Sequence, residues 1–385
     1  MRKVVKKLLV IAMVLMMSIG ALAGCGSKDE GTKASESYKV GVVVYDNTDL
    51  QQQAINKYLT EHIGPAFNVE FIISDAIKDS NGEISFLENC ASKGAKGIMA
   101  YYTVTDPQIL ANKCKELGLY YILGAANPGE KDLEAFKSNE LMLGGIGPKN
   151  GDYDASYEMA KAFLEDGARD IAMATGGKDM GVQMFIDRFN GVQDAIKDFE
   201  ASNSGEKVNL TEFAGFPSDA WFAQQAQVIA SNPDAIIASF SGEFLWVQPL
   251  TEAGKAGEIK LGTLSSLNDV TAKAFEENKL HFLGGIYPQM TGLNFAVLYN
   301  AMSGHAEEFK DNGNPVNLEV NIINVKSADD MKKWMEVINA EVPPYSADDI
   351  KKVCKAYNEK ATYEDLVELT EASGYEDIVA RRAAE

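Results

Sequence analysis

The chain has 385 residues, with 36 Lys and Arg against 56 Asp and Glu, a net charge of −20. That balance gives no electrostatic attraction to nucleic acid or to an anionic membrane surface, and it does not identify a ligand. The length exceeds one ordinary hydrophobic core, and 46% hydrophobic residues suffice for globular folding, so two domains are expected.

In chain order, the first seven residues carry Arg2, Lys3, Lys6 and Lys7, and an apolar run follows from Leu8 to Ala23. The run is short for a transmembrane helix and ends in small residues, as secretory leaders do. "LAGC" (22–25) resembles a bacterial lipobox, which implies cleavage after residue 24 and lipidation of Cys25. An uncleaved N-terminal anchor is the other reading. Residues 25–37 read as a polar tether. Loss of a leader with four basic and no acidic residues takes the net charge from −20 to −24. A chain so tethered works outside the cytoplasm.

From residue 38 apolar runs alternate with amphipathic stretches. Strands are predicted at 39–45, 69–74, 96–102, 120–125 and 141–147, with helices at 50–63, 83–94 and 106–118. Asp106 caps the last of these and Pro107 suits its first turn. The rhythm repeats with helices at 154–167, 182–199, 219–231, 243–254 and 290–303. Its strands fall at 170–177, 209–215, 234–242, 259–266 and 280–288. A further strand is predicted over 316–325, then three tail helices at 327–340, 346–360 and 363–373. Continuous apolar strands separated by helices mean parallel sheets covered on both faces. The fold class is therefore α/β, with two doubly wound parallel-sheet lobes and a helical C-terminal extension. A TIM barrel is the structural rival, but the strands outnumber its eight.

Besides Cys25 the cysteines are Cys90, Cys114 and Cys354, with no short spacing. Buried free thiols are expected, a Cys90–Cys114 disulfide being the alternative. The three histidines are scattered, which argues against a His-based metal site and leaves carboxylate sites open; no metal or cofactor is assigned. No P-loop, G-x-G-x-x-G or G-x-S-x-G motif occurs, and no catalytic residue stands out.

In open α/β sheets ligands bind beyond the carboxyl ends of the strands. The residues there include Tyr45, Asp46, Asn47, Tyr102, Thr103, Asp106 and Asn127 in the first half, and Ser241, Glu243, Ser266 and Tyr287 in the second. These eleven are the candidate ligand-binding residues. Aromatic faces stack on sugars or bases, and Asp, Asn and Ser bond hydroxyls or ring nitrogens. Asp106 and Ser241 also read as plain helix caps. Basic groups are scarce, which disfavours a strongly anionic ligand.

"KVGVVVYDNTD", "KGIMAYYTVTDPQ" and "MFIDRFNGVQDAI" resemble the type I periplasmic binding proteins of the ribose-binding kind, with Arg188 and Gly191 matching an R-x-x-G helix start. The resemblance implies two lobes joined by a three-segment hinge: 38–148 plus 288–315, and 149–287 plus 316–325, with 326–385 as an extension. It implies a monomeric, non-enzymatic receptor that closes on a sugar or nucleoside-like ligand and delivers it to the permease of an ABC importer. A receptor presenting ligand to a membrane sensor is the alternative, and an extracellular hydrolase a more distant one. The family's sugar anchors are mostly missing. Asn127 stands where an arginine is common, Ser265 and Ser266 where an acid is common, and Tyr287 and Pro288 where a glutamine is common; Asp106 matches an acidic position.

Overall fold

The computed structural model describes residues 37–148 and 150–383. The leader, Cys25 and residues 25–36 of the tether lie outside the described residues.

β1 (Tyr38–Val44) is buried apart from Lys39, as its β-branched run predicts for a strand covered on both faces. It lies between β2 (Val69–Ala76) and β3 (Gly97–Ala100), with Val40 beside both Phe71 and Gly97. Gly41 admits close helix packing here. A Cβ at this position would sit 2.6 Å from Cys90 Sγ and from Ile98 Cδ1. β4 (Tyr120–Leu123), β5 (Met142–Gly147) and β11 (Val316–Glu319) complete the first sheet, in the order β11-β5-β4-β3-β1-β2, with all neighbours parallel.

The second sheet runs β12-β10-β9-β8-β6-β7. Its strands are β6 (Asp170–Gly176), β7 (Asn209–Ala214), β8 (Ala235–Ala238), β9 (Lys260–Leu264), β10 (Phe282–Gly285) and β12 (Ile323–Val325). Only β12 is antiparallel to its neighbour. Helices flank both sheets, so the two doubly wound lobes are present and the chain is no closed barrel. The helices Gly151–Glu165 and Gln183–Ser202 cover one face of the second sheet with Met159, Phe163, Val192 and Ile196. Burying each such side chain contributes roughly 1.5–3 kcal/mol.

The predicted strand 316–325 is corrected. It is two strands, and β11 belongs to the first sheet, where Val316 pairs with Gly144, while β12 belongs to the second. The third lobe crossing therefore falls at 320–322 instead of 315–316. The chain also passes from one sheet to the other after β5 and after β10. The helix predicted over 50–63 is α-helical over Leu50–Lys57 and continues as a π-helical turn over Tyr58–Ile63. The helices Glu130–Lys137 and Asp269–Glu276 were not anticipated. The tail has a fourth helix, Tyr375–Ala383, after Ala328–Ile338, Ala347–Lys352 and Tyr363–Glu371.

Candidate functional site

The three crossings join the β5/β11 edge of one sheet to the β10/β12 edge of the other, which makes this the hinge side. Counted from that edge, β4 and β9 are third, β3 and β8 fourth, and β1 and β6 fifth in their sheets. The open-sheet rule places a ligand beyond the carboxyl ends of these strands.

In the first lobe, Tyr45 and Tyr102 meet with ring centroids 4.4 Å apart. Lys78 Nζ lies 3.1 Å from the Tyr45 ring centroid, a cation–π contact on that wall. Asp46 accepts from the Thr48 N–H at 2.8 Å and from Thr48 Oγ1 at 2.7 Å, which holds its carboxyl below the usual carboxylate range. Asn47 Nδ2 donates to Ser74 O at 3.2 Å. Thr103 Oγ1 donates to Glu83 Oε2 at 3.2 Å. Glu83 is fully buried and also accepts the Val104 and Thr105 N–H groups at 3.0 Å, so it fixes the loop after β3. Asp106 caps the helix Pro107–Leu117, accepting from Gln108 N at 3.0 Å. Asn127 Nδ2 donates to Leu318 O at 2.7 Å and to Asn317 Oδ1 at 3.0 Å. Its own Oδ1 is buried and has no partner among the described residues.

In the second lobe, Arg188 Nε donates to Asp152 Oδ1 at 2.7 Å, and its Nη1 donates to Ser239 O. This ties the helix after β6 to the end of β8. Ser239 Oγ is buried without a partner among the described residues. Ser241 adopts φ 46° and ψ 36°, a left-handed conformation that a non-glycine residue rarely takes. It opens the short helix that presents Glu243. Ser265 Oγ donates to Glu243 Oε1, whereas Glu243 Oε2 is buried and unpartnered among the described residues. Burial pushes the Glu243 carboxyl above its usual value; the Ser265 bond opposes this, and Asp49 of the first lobe adds to it. Glu243, after β8, thus sets its carboxyl against Ser265, after β9. Ser266 is buried and accepts from Asn268 Nδ2 at 2.9 Å.

Tyr287 stands apart. It is fully buried, donates to Ser373 O at 3.1 Å, and lies against Trp334 and Tyr345, with ring centroids 5.8 and 6.1 Å away. The tail covers it, so it packs the hinge and does not line the cleft. Strand-end reasoning finds the loops but not this direction. Phe216 and Phe240, which also stand at second-lobe strand ends, were not among the candidates. With Phe185 they form a cluster with ring centroids 5.5–5.7 Å apart.

The described cysteines Cys90, Cys114 and Cys354 are buried free thiols. Burial pushes the first two up to about 11 and about 12. Among the described residues no group of three His, Cys, Asp or Glu could hold a metal ion, and no helix is long and apolar enough to cross a membrane.

No family model matches the chain, and no curated protein matches it in sequence. Solved structures do. An ABC transporter periplasmic solute-binding protein from Actinobacillus succinogenes, with bound D-allose, superposes with TM-score 0.61 at 14% identity, covering 77% of this chain and 99% of that one. A solute-binding protein from Bacillus halodurans with bound myo-inositol gives TM-score 0.58 at 17% identity, covering 80% and 99%. A protein assigned as a LacI transcriptional regulator from Bacteroides fragilis gives 0.55 at 14%, covering 77% and 99%. The fold is that of the type I periplasmic binding proteins, a fold that solute receptors and transcriptional regulators share.

Proposed function

We propose that this chain is an extracytoplasmic solute receptor, not an enzyme, that captures a small polar ligand of the sugar or nucleoside kind between its lobes and delivers it to the permease of an ABC importer. The carrying observation is that Glu243 Oε2 and Asn127 Oδ1, each in a segment that follows a strand, are buried without partners among the described residues. An unpaired buried acceptor costs about 1–3 kcal/mol, which a ligand donor removes. Lobe closure then follows from the ligand's higher affinity for the closed state. The solute-binding proteins that share the fold support the receptor reading over the regulator. The net charge of −20 supports it too, because a DNA-binding protein gains affinity by neutralising phosphates. The lipobox-like "LAGC" supports a lipid tether at Cys25, with the receptor acting as a monomer outside the cell membrane.

The test is a thermal-shift screen against sugars, polyols, nucleosides and amino acids. A ligand that binds only the folded state raises the melting temperature. A hit in one class supports the reading; silence across all four classes counts against it. Replacing Cys25 by Ala should release the chain from the membrane fraction and abolish lipid labelling. Unchanged fractionation would refute the tether.

A further inference from the structure

A cavity of about 510 Å³ is lined by none of the eleven candidate ligand-binding residues. Small-molecule sites occupy roughly 300–1,000 Å³. Its walls come from both lobes and from the tail. The first lobe supplies one face of the helix Leu50–Lys57 and of the π-helical turn Tyr58–Ile63 that continues it. Such turns are rare and are frequent at functional sites. The second lobe supplies the start of the helix Asp269–Glu276, and the tail supplies the end of the helix Ala328–Ile338. Tyr58 donates to Tyr345 O at 2.9 Å, which ties the first-lobe wall to the tail.

The lining is apolar inside and charged at the rim. Leu267, Pro288 and Ile338 are buried, and Met335 lines the cavity with them. Lys57 and His62 stand on the first-lobe wall and Asp269 on the second-lobe wall, all three exposed. Neither the Lys57 nor the Asp269 side chain has an ion-pair partner among the described residues. Between the lobes, Gln289 Nε2 donates to Ile338 O at 3.4 Å, which leaves Gln289 Oε1 buried with no partner among the described residues.

We propose that this cavity is a second binding site, distinct from the one at Glu243 and Asn127, for a small zwitterion with an aliphatic side chain, an amino acid of the leucine kind. The aliphatic group takes the apolar interior. The carboxylate meets Lys57 and His62. The ammonium, with three protons to donate, meets Asp269 and the vacant Gln289 oxygen. A plain carboxylate would leave Asp269 and Gln289 unmet, and a plain amine would leave Lys57 unmet. The site stands independently of the receptor reading.

The experiment is calorimetric titration of the full chain with L-leucine, 4-methylpentanoate and 3-methylbutylamine, which share the carbon tail and carry both charges, the negative one and the positive one. Leucine is expected to bind at least about tenfold more tightly than either, since a hydrogen bond to a charged group contributes about 1.5–3 kcal/mol. Lys57→Gln and Asp269→Asn, both at exposed positions, should each weaken leucine binding about tenfold with unchanged circular dichroism. Either one-charge analogue binding as tightly as leucine would overturn the zwitterion. Leucine binding lost in Glu243→Gln but kept in Lys57→Gln and Asp269→Asn would put leucine at the other site, overturning this proposal and leaving the receptor reading intact. No leucine binding at millimolar concentration would also overturn it, and the thermal screen would then decide the receptor reading separately.

Discussion

Glu243→Gln should make the protein more stable and a poorer receptor. The side chain is 6% exposed, one oxygen accepts from Ser265, and the other has no partner among the described residues. Burial raises its carboxyl above the usual value, so the folded protein holds the proton more tightly than the unfolded chain does. The sign follows. Stability from this group is fully present below the usual glutamate value of 4.5 and is lost as pH rises through the raised folded value. Glutamine keeps the acceptor for Ser265 and carries no charge. At pH 7.5 the variant should gain about 1.4 kcal/mol for each pH unit by which burial raises the carboxyl, because glutamine removes the desolvated charge while its amide stays buried. At pH 4 the difference should shrink towards zero. Urea unfolding followed by tryptophan fluorescence at both pH values measures it. Ligand affinity should move the other way, because a charged acceptor contributes about 1.5–3 kcal/mol to a hydrogen bond. A variant less stable than the parent at pH 7.5, or one whose advantage does not change with pH, would refute the account of a strained carboxylate kept for binding.

Two further perturbations probe the frame. Asn300 is fully buried, donating to Val353 O at 2.9 Å and accepting from Lys355 N at 2.9 Å, so Asn300→Ala strips both tail groups of a partner. A loss of about 1–3 kcal/mol per group is expected in urea unfolding, and an unchanged midpoint would mean that the tail is not docked there. Cys90, Cys114 and Cys354 should ignore a thiol reagent at pH 8 in the native protein and react in guanidinium, because burial excludes the reagent and disfavours the thiolate. Rapid native labelling of these three would contradict their packing.

The alternation of apolar strands with amphipathic helices was legible because each strand, like β1 or β6, is a continuous apolar run bounded by polar loops. The path of 316–325 was not. "VNLEVNIINV" is one unbroken pattern along the chain, and nothing local marks residues 320–322 as the place where it leaves one sheet for another. The helix Glu130–Lys137 is amphipathic but only eight residues long and mostly polar, too short for its period to stand out. Asp269–Glu276 did carry a signal, the Asn268–Thr271 capping box. At the site, position after a strand predicted the loops of Tyr45, Tyr102 and Glu243. The capping role of Asp106 was legible in the sequence, its partner being Gln108 two residues on, whereas the burial of Tyr287 and the vacant oxygen of Glu243 depend on neighbours distant in sequence or on side-chain direction. A strand-end rule carries neither.

The tail bears on how the lobes can move. Tyr58 of the first lobe donates to Tyr345 O at 2.9 Å, and Asn300 holds Val353 and Lys355. At the hinge, Tyr287 reaches Ser373. On the second lobe, the helix Ala328–Ile338 packs on Asp269–Glu276. Arg381 and Arg382 lock these pieces together by donating to Pro344 O and Val337 O at 2.9 and 2.6 Å. One apolar cluster consequently runs from Val42 and Phe67, through Tyr287 and Tyr345, to Leu267 and Phe275. Close-packed apolar contacts resist separation, so the tail stiffens the side of the molecule where the chain passes between the two sheets.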